Sequence, residues 1–430
     1  MRILWVKPGK LLPLNTGGKL RSYHILRHLS ALHAVTFLSS YGGQRDRKYE
    51  AELQAKLPGA VSVHDPSIEV EGIRRYASFA RSLAKRVPYS VCSFKVDRVQ
   101  RLLSSRAFCG EFDVAVCDFL ASAVNFPRSL CIPTVLFQHN VETLLWKRRA
   151  QFGSNWQRRV VAWAEYVKMR RYEQEQLRRF RHVFSVSRED REVMTAMGAS
   201  ARITVIPTGV DLGSYESSSD QESTDPLVVF CGSMDWEPNI DGVEYFCREI
   251  WAQVLAKVPS ARFRIVGRDP DLRIRKLASS SVEVTGTVTS VAKHLRQASV
   301  LVVPLRIGSG TRIKVYEGMA MGKATVCTRL GAEGLAVHHG RDIFLSDDSR
   351  QFAQHVVDLL LDRELRQKCG QQAVQSVQKQ EWSVSAQVFA NALQSALTAK
   401  EDLSNPAPAQ DEVPPAFLAG QLRSGVDRQT

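Results

Sequence analysis

Long apolar runs are missing from this chain. Nowhere in its 430 residues is there anything near the roughly 20 consecutive apolar residues that a membrane-spanning helix needs. The N-terminus, MRILWVKPGK, has an apolar run only from Ile3 to Val6, too short for a secretory signal and right for a first β-strand. Both absences point to the cytoplasm. No CxxC pair occurs among Cys92, Cys109, Cys117, Cys131, Cys231, Cys247, Cys327 and Cys369, which fall mostly in apolar runs and read as core thiols of a reducing compartment. The histidines are dispersed, and His338-His339 lacks a helical ligand spacing, so no metal and no cofactor are expected. The DxD-like string Asp269-Pro270-Asp271 follows a strand and precedes a helix, where a turn and helix cap are expected instead of a cation site. Acidic residues fall short of basic ones, 44 against 58, leaving a net charge of +14. That excess asks for an anionic partner, and without a recognition-module pattern for nucleic acid it narrows to an acidic membrane face or a phosphorylated substrate.

What the chain does have is a repeated alternation of short apolar strands with amphipathic helical segments. The first half carries strands at 2–6, 34–38, 60–64, 113–117, 134–138, 182–186 and 203–206. The second carries them at 227–231, 262–266, 282–284, 300–303, 325–327 and 343–345. Strands separated by helix-length segments predict parallel, doubly wound sheets, hence an α/β protein of two Rossmann-like domains. The expected division is a domain over 1–206, a polar linker over 207–225, a second domain over 226–382, a final helix over 383–399, and a Pro-rich, disordered tail over 400–430.

In parallel sheets ligands bind beyond the carboxyl ends of the strands, so the loops there are the candidates. After Val300–Pro304 comes Gly308-Ser309-Gly310-Thr311, then a helix carrying Arg312, Lys314 and Glu317. Glycines let backbone N–H groups approach an anion, the helix N-terminus adds positive potential, and two cations one turn in neutralise a pyrophosphate. Glu317, further along, is placed to accept from ribose hydroxyls. An ordinary strand–loop–helix with surface charges has the same outline. Gly17-Gly18 precede the first helix without a GxGxxG pattern, so a dinucleotide fingerprint is not expected. His139 and Glu142 follow a buried strand, where polar residues cost desolvation unless they face a cleft or cap a helix.

These motifs carry a resemblance. GTRIKVYEGMAMGKATVCT with the GAEGL that follows, VIPTGVD at 205–211 and CGSMDWEPNIDGV at 231–243 resemble retaining glycosyltransferases of family 4, the last string a subgroup associated with bacterial surface polysaccharide synthesis. The resemblance implies the GT-B arrangement, two Rossmann-like domains facing across a cleft with the final helix crossing back to the first. It implies transfer of a sugar from a nucleotide diphosphate to a saccharide or lipid-linked saccharide, with retention and without a metal. On this basis His139 has a hydrogen-bonding role near the donor sugar. Gly17, Gly18, Gly232, Ser233, Gly308, Ser309, Gly310, Thr311 and Glu333 line the donor, and Arg312 and Lys314, with Arg306, hold its phosphates. The chain departs from the family twice: Ser233 and the Pro238-Asn239 region stand where an Arg and a Lys usually grip the diphosphate, and Ser309 stands where the first of two glutamates is usual. A sugar-nucleotide epimerase of the same architecture and a non-catalytic nucleotide-sugar-binding protein remain alternatives.

The segment from Lys147 to His182 interleaves many Arg and Lys with Trp146, Trp156, Trp163 and Tyr166. Such a helix either lies on an anionic membrane surface or is a solvated outer face with its aromatics in the core.

Overall fold

A computed structural model describes residues 1–66, 68, 86–129, 132–153, 156–199, 202–215 and 226–398. The expected tail over 400–430, most of the polar linker and Cys131 lie outside the described residues. Among the described residues, thirteen strands form two sheets. In the first half they are β1 (Arg2–Pro8), β2 (Ala34–Tyr41), β3 (Val61–His64), β4 (Val114–Asp118), β5 (Thr134–Phe137), β6 (His182–Ser185) and β7 (Arg202–Val205). In the second they are β8 (Leu227–Cys231), β9 (Arg262–Val266), β10 (Val282–Gly286), β11 (Val300–Val303), β12 (Ala324–Cys327) and β13 (Phe344–Leu345).

Every pairing is parallel, with orders β3-β2-β1-β4-β5-β6-β7 and β10-β9-β8-β11-β12-β13. The expected doubly wound α/β architecture is therefore present twice. Runs such as LVVFC and VLVV are buried along their whole length because helices cover both faces of a parallel sheet. Each order reverses direction once, between β1 and β4 and between β8 and β11. A crevice opens at such a switch point because the flanking crossovers run to opposite sides.

The last helix, Trp382–Thr398, belongs in space to the first half. Its Phe389 stacks on Trp5 at 5.1 Å and packs edge-on against Phe137 and Phe184, while Trp382 stacks on His24. The chain thus crosses between halves twice, and the crossings touch: Val210 N–H donates to Gln380 O at 2.7 Å, and Gly209 lies against the Trp382 backbone.

Candidate functional site

The two halves meet where the segment after β5, His139 to Val141, comes against the loop after β11. The loop after β11 turns through Gly308 (φ 145°) and Gly310 (φ 75°), the second a left-handed conformation that suits glycine. A Cβ at Gly310 would also collide with the carbonyl oxygen of His139 in the other half. Arg312 is the N-cap of helix Ile313–Ala320 and gives it no side-chain cap; Val315 N–H is taken by the Arg312 carbonyl at 3.0 Å, and the helix start keeps its positive potential for an anion. The Arg312 guanidinium curls back to donate to Ser309 O (2.7 Å) and Gly310 O, leaving Nε and one terminal nitrogen buried without partners. Lys314 reaches the carboxyl end of β8, where its Nζ lies over the Phe230 ring and 3.0 Å from Oδ1 of Asn239, in the first turn of helix Glu237–Tyr245. Gly232 makes this possible, since a Cβ there would fall 2.7 Å from Nζ.

The opposite wall is built on Asp118, the fully buried last residue of β4. Trp5 Nε1–H (2.9 Å) and Ser22 O–H (2.7 Å) donate to one carboxylate oxygen and His139 Nε2–H (2.7 Å) to the other, with Lys7 at 3.9 Å. Burial works to raise the Asp118 pKa, but Lys7 and His139 outweigh it and hold it below the usual range. Burial pushes His139 down to about 4 against the pull of Asp118, so the ring is neutral and its Nδ1 is left to accept from Arg21 at 3.2 Å. Phe119 backs the ring at 3.8 Å in a left-handed conformation (φ 70°), costly for a bulky residue and commonest at functional sites. Arg21, on helix Gly17–Ser30, also donates to Thr208 Oγ1 (2.8 Å) and across the interface to Thr311 Oγ1, while its Nε is buried unpartnered.

The halves are joined around this point. Val141 N–H donates to Ser309 Oγ at 2.9 Å, and Arg148 donates to Gly308 O and forms a two-pronged pair with Glu333 at 2.9 and 3.0 Å. Cations accumulate as a result. Burial lowers Arg21 and Arg312 to about 10 and Lys314 to about 8, and Arg312 depresses the other two further. Asp190 is pushed up to about 6 by burial and leaves one carboxylate oxygen buried without a partner. A desolvated cluster of positive charge with open donors is chemically an anion site.

The structure brings Gly308, Ser309, Gly310, Thr311, Arg312, Lys314 and Gly232 together, with Glu317 one turn further along the same helix. The other candidate residues have partners within the protein. Both ring nitrogens of His139 are engaged by protein, so the ring positions Arg21 and offers no free nitrogen to a sugar. Gly18 makes room for the Phe119 ring, where a Cβ would collide, whereas a Cβ at Gly17 would only touch Ile313 at van der Waals distance. Arg306 is held by two hydrogen bonds to Asp241 and stacks on Tyr245, away from the Arg312 cluster. The Ser233 hydroxyl donates to Asp235, and Glu333 is occupied by Arg148. Trp156 and Trp163 are exposed, against a core placement for those aromatics. Asp271 is a helix N-cap, donated to by Arg273 N–H, as the turn-and-cap reading expects.

Sequence reasoning passed over Lys7, Arg21, Asp118, Arg148 and Asp190. Two signals were available. Lys7 and Asp118 each end or nearly end a buried strand run, ILWVK and VAVCD, and Arg21 occupies the core-facing side of its helix with Ile25, at the i, i+4 spacing.

Known proteins resemble this chain in sequence and in fold. A family model described as Glycosyltransferase Family 4 matches residues 16–214, and one described as Glycosyl transferases group 1 matches 225–362. The phosphatidyl-myo-inositol mannosyltransferase of Mycolicibacterium smegmatis is 29% identical over 207 residues, 46% of this chain and 52% of that protein. The chain therefore aligns to about half the length of this relative. Among solved structures, sucrose-phosphate synthase from Thermosynechococcus elongatus has a TM-score of 0.70 at 15% identity, over 93% of this chain and all of that one. Anabaena Alr3699/HepE in complex with UDP-glucose has a TM-score of 0.61 at 14% identity, over 92% and 100%. At such identities these two share the fold.

Proposed function

From a chain that belongs to glycosyltransferase family 4, with the GT-B fold, we propose an enzyme that moves a sugar from a nucleoside diphosphate to a hydroxyl of a saccharide or lipid-linked saccharide, with retention, in surface polysaccharide synthesis. The observation that carries this is the meeting of Arg21, Arg312 and Lys314, drawn from both halves, around a glycine loop and an uncapped helix start. The bond from the sugar's anomeric carbon to the phosphate oxygen breaks, and negative charge builds on the departing diphosphate. Helix N–H groups, Arg312 and Lys314 stabilise that charge in a water-poor site. Arg21 adds a cation from the facing domain once the cleft is shut. The new bond forms to the acceptor oxygen, whose proton passes to a phosphate oxygen of the leaving group. Glu317 holds the ribose and Thr311 a phosphate oxygen. Glu333 fixes Arg148 and through it the Gly308 carbonyl. The seven described cysteines are all free thiols, which supports a cytoplasmic site of action.

The Anabaena neighbour's UDP-glucose makes uridine diphosphate and its sugars the first probes. Wild-type protein is expected to gain thermal stability from one nucleotide class. Lys314→Ala and Arg312→Ala should each lower turnover by about ten- to a thousandfold. Wild-type turnover in both would remove the proposed charge role, and conversion of a labelled donor with no acceptor present would identify an epimerase.

A further inference from the structure

Helices Glu142–Phe152 and Trp156–Arg179 pack against one another as a hairpin on the outside of the first half. Along the longer helix Trp156, Val160, Trp163 and Val167 recur every three or four residues, which puts them on one stripe. Most of that stripe faces solvent: Trp156 is 72% exposed, Trp163 60% and Val160 58%, Val167 is half-buried, and Phe152 and Val161 beside it are exposed as well. Apolar residues at helical spacing normally mark the buried side of a surface helix. Here the buried side is the other one, carrying Glu165, Met169, Tyr172, Glu173 and Leu177. The stripe is thus a second apolar face that the fold does not use.

Its surroundings are positive. Arg170 and Arg171 continue the same side one turn beyond Val167, Arg159 flanks it, and all three are exposed. The helix's own carboxylates are drawn inward. Glu165 accepts from the N–H groups of Tyr89 and Ser90, and Glu173 from those of Glu142 and Thr143, so Glu175 is the one exposed acid of the helix.

We propose that this hairpin face docks on a bilayer surface rich in anionic lipid. Trp side chains favour the headgroup–acyl boundary, and the arginines find phosphate there. A second copy of the chain suits the face poorly, because a two-fold contact sets each patch against itself and brings Arg159, Arg170 and Arg171 against their own counterparts. Arg158 pairs with Glu237 of the second half at 3.3 Å, so the docked hairpin lies beside the cleft. On the transfer reading, a lipid-linked acceptor would then present its headgroup to the site from the membrane side.

The experiment is co-sedimentation of the full chain with vesicles of phosphatidylcholine alone or mixed with phosphatidylglycerol. Binding is expected to the mixed vesicles and to weaken as salt is raised. Arg170→Gln/Arg171→Gln should lose about 25-fold in partitioning, near fivefold per charge. Trp156→Ser/Trp163→Ser should lose about tenfold or more. These positions are exposed, so nucleoside diphosphate binding in each variant should match wild type and report intact folding apart from membrane affinity. The proposal falls if mixed vesicles are not bound, if both vesicle types are bound equally, or if wild type is a dimer that Trp156→Ser/Trp163→Ser makes monomeric. None of those outcomes touches the transfer reading, which stands or falls on Lys314 and Arg312.

Discussion

A buried guanidinium is tolerated when a carboxylate meets it, and neither Arg21 nor Arg312 is in an ion pair among the described residues. Each is partly satisfied by neutral oxygens or, for Arg21, the His139 ring nitrogen, with Asp190 acting on both only at longer range, so a diphosphate meeting them directly would complete their hydrogen bonding. Lys314 makes this testable by titration. With its pKa lowered by burial to about 8, the empty site loses this charge as pH rises through that value, whereas a bound diphosphate favours the protonated form. Donor affinity is therefore expected to weaken as pH rises through about 8, with proton uptake on binding in that range. In Lys314→Ala the affinity should be low throughout and the pH dependence gone, as measured by calorimetry in buffers of different ionisation enthalpy. A charged position at the end of an apolar run was readable for Lys7 and Asp118. The partners were not: Arg21 and Thr311 lie 290 positions apart, and their contact exists only once both sheets have formed and met.

Among elements, the strands and the loops that follow them were legible because parallel strands are continuous apolar runs with charged or glycine-rich ends. The direction in which a loop glycine opens was not legible. Gly17 and Gly18 resemble a phosphate loop, yet Phe119 fills the space at Gly18, because its unusual backbone turns its ring beneath Lys7 and onto His139. Gly310 is the position where glycine is required twice over, by its φ and by the His139 carbonyl. Gly310→Ala is expected to cost about 1–2 kcal/mol in strain. It should also hold the two halves apart, lowering turnover by more than tenfold while nucleotide binding to the isolated donor loop changes less. Small-angle scattering with and without nucleoside diphosphate checks this: compaction seen in wild type should be absent in the variant. Glu173 shows how one element serves another. From the long helix it accepts N–H groups at the start of Glu142–Phe152 and the Gln138 amide, and so sets the His139–Val141 strip that meets Ser309 and Gly310.

For the whole molecule, the two sheets are tied by chain crossings that lie side by side at Val210 and Gln380, and by a terminal helix whose apolar face belongs to the other half. Phe389 sits among Trp5, Phe137 and Phe184, so Phe389→Ala should destabilise by about 3–5 kcal/mol, the usual scale for a buried aromatic. In calorimetry the loss should appear in the transition of the first half, although residue 389 follows the second in sequence. A matching shift in the second half's transition would show that the helix stabilises the domain it directly follows.

By itself the sequence determined the repeated strand–helix alternation, the two parallel sheets and the glycine loop with Arg312, Lys314 and Glu317, because those depend on spacing within a few tens of residues. Tertiary structure alone decided which charges meet. Arg306 and Glu333 look equivalent to their neighbours in the chain, but one is held by Asp241 and the other by Arg148, 185 positions away. It also decided that Trp156 and Trp163 face outward while Glu165 and Glu173 face inward, since a helix with two apolar sides is oriented by what the rest of the fold offers it to bury.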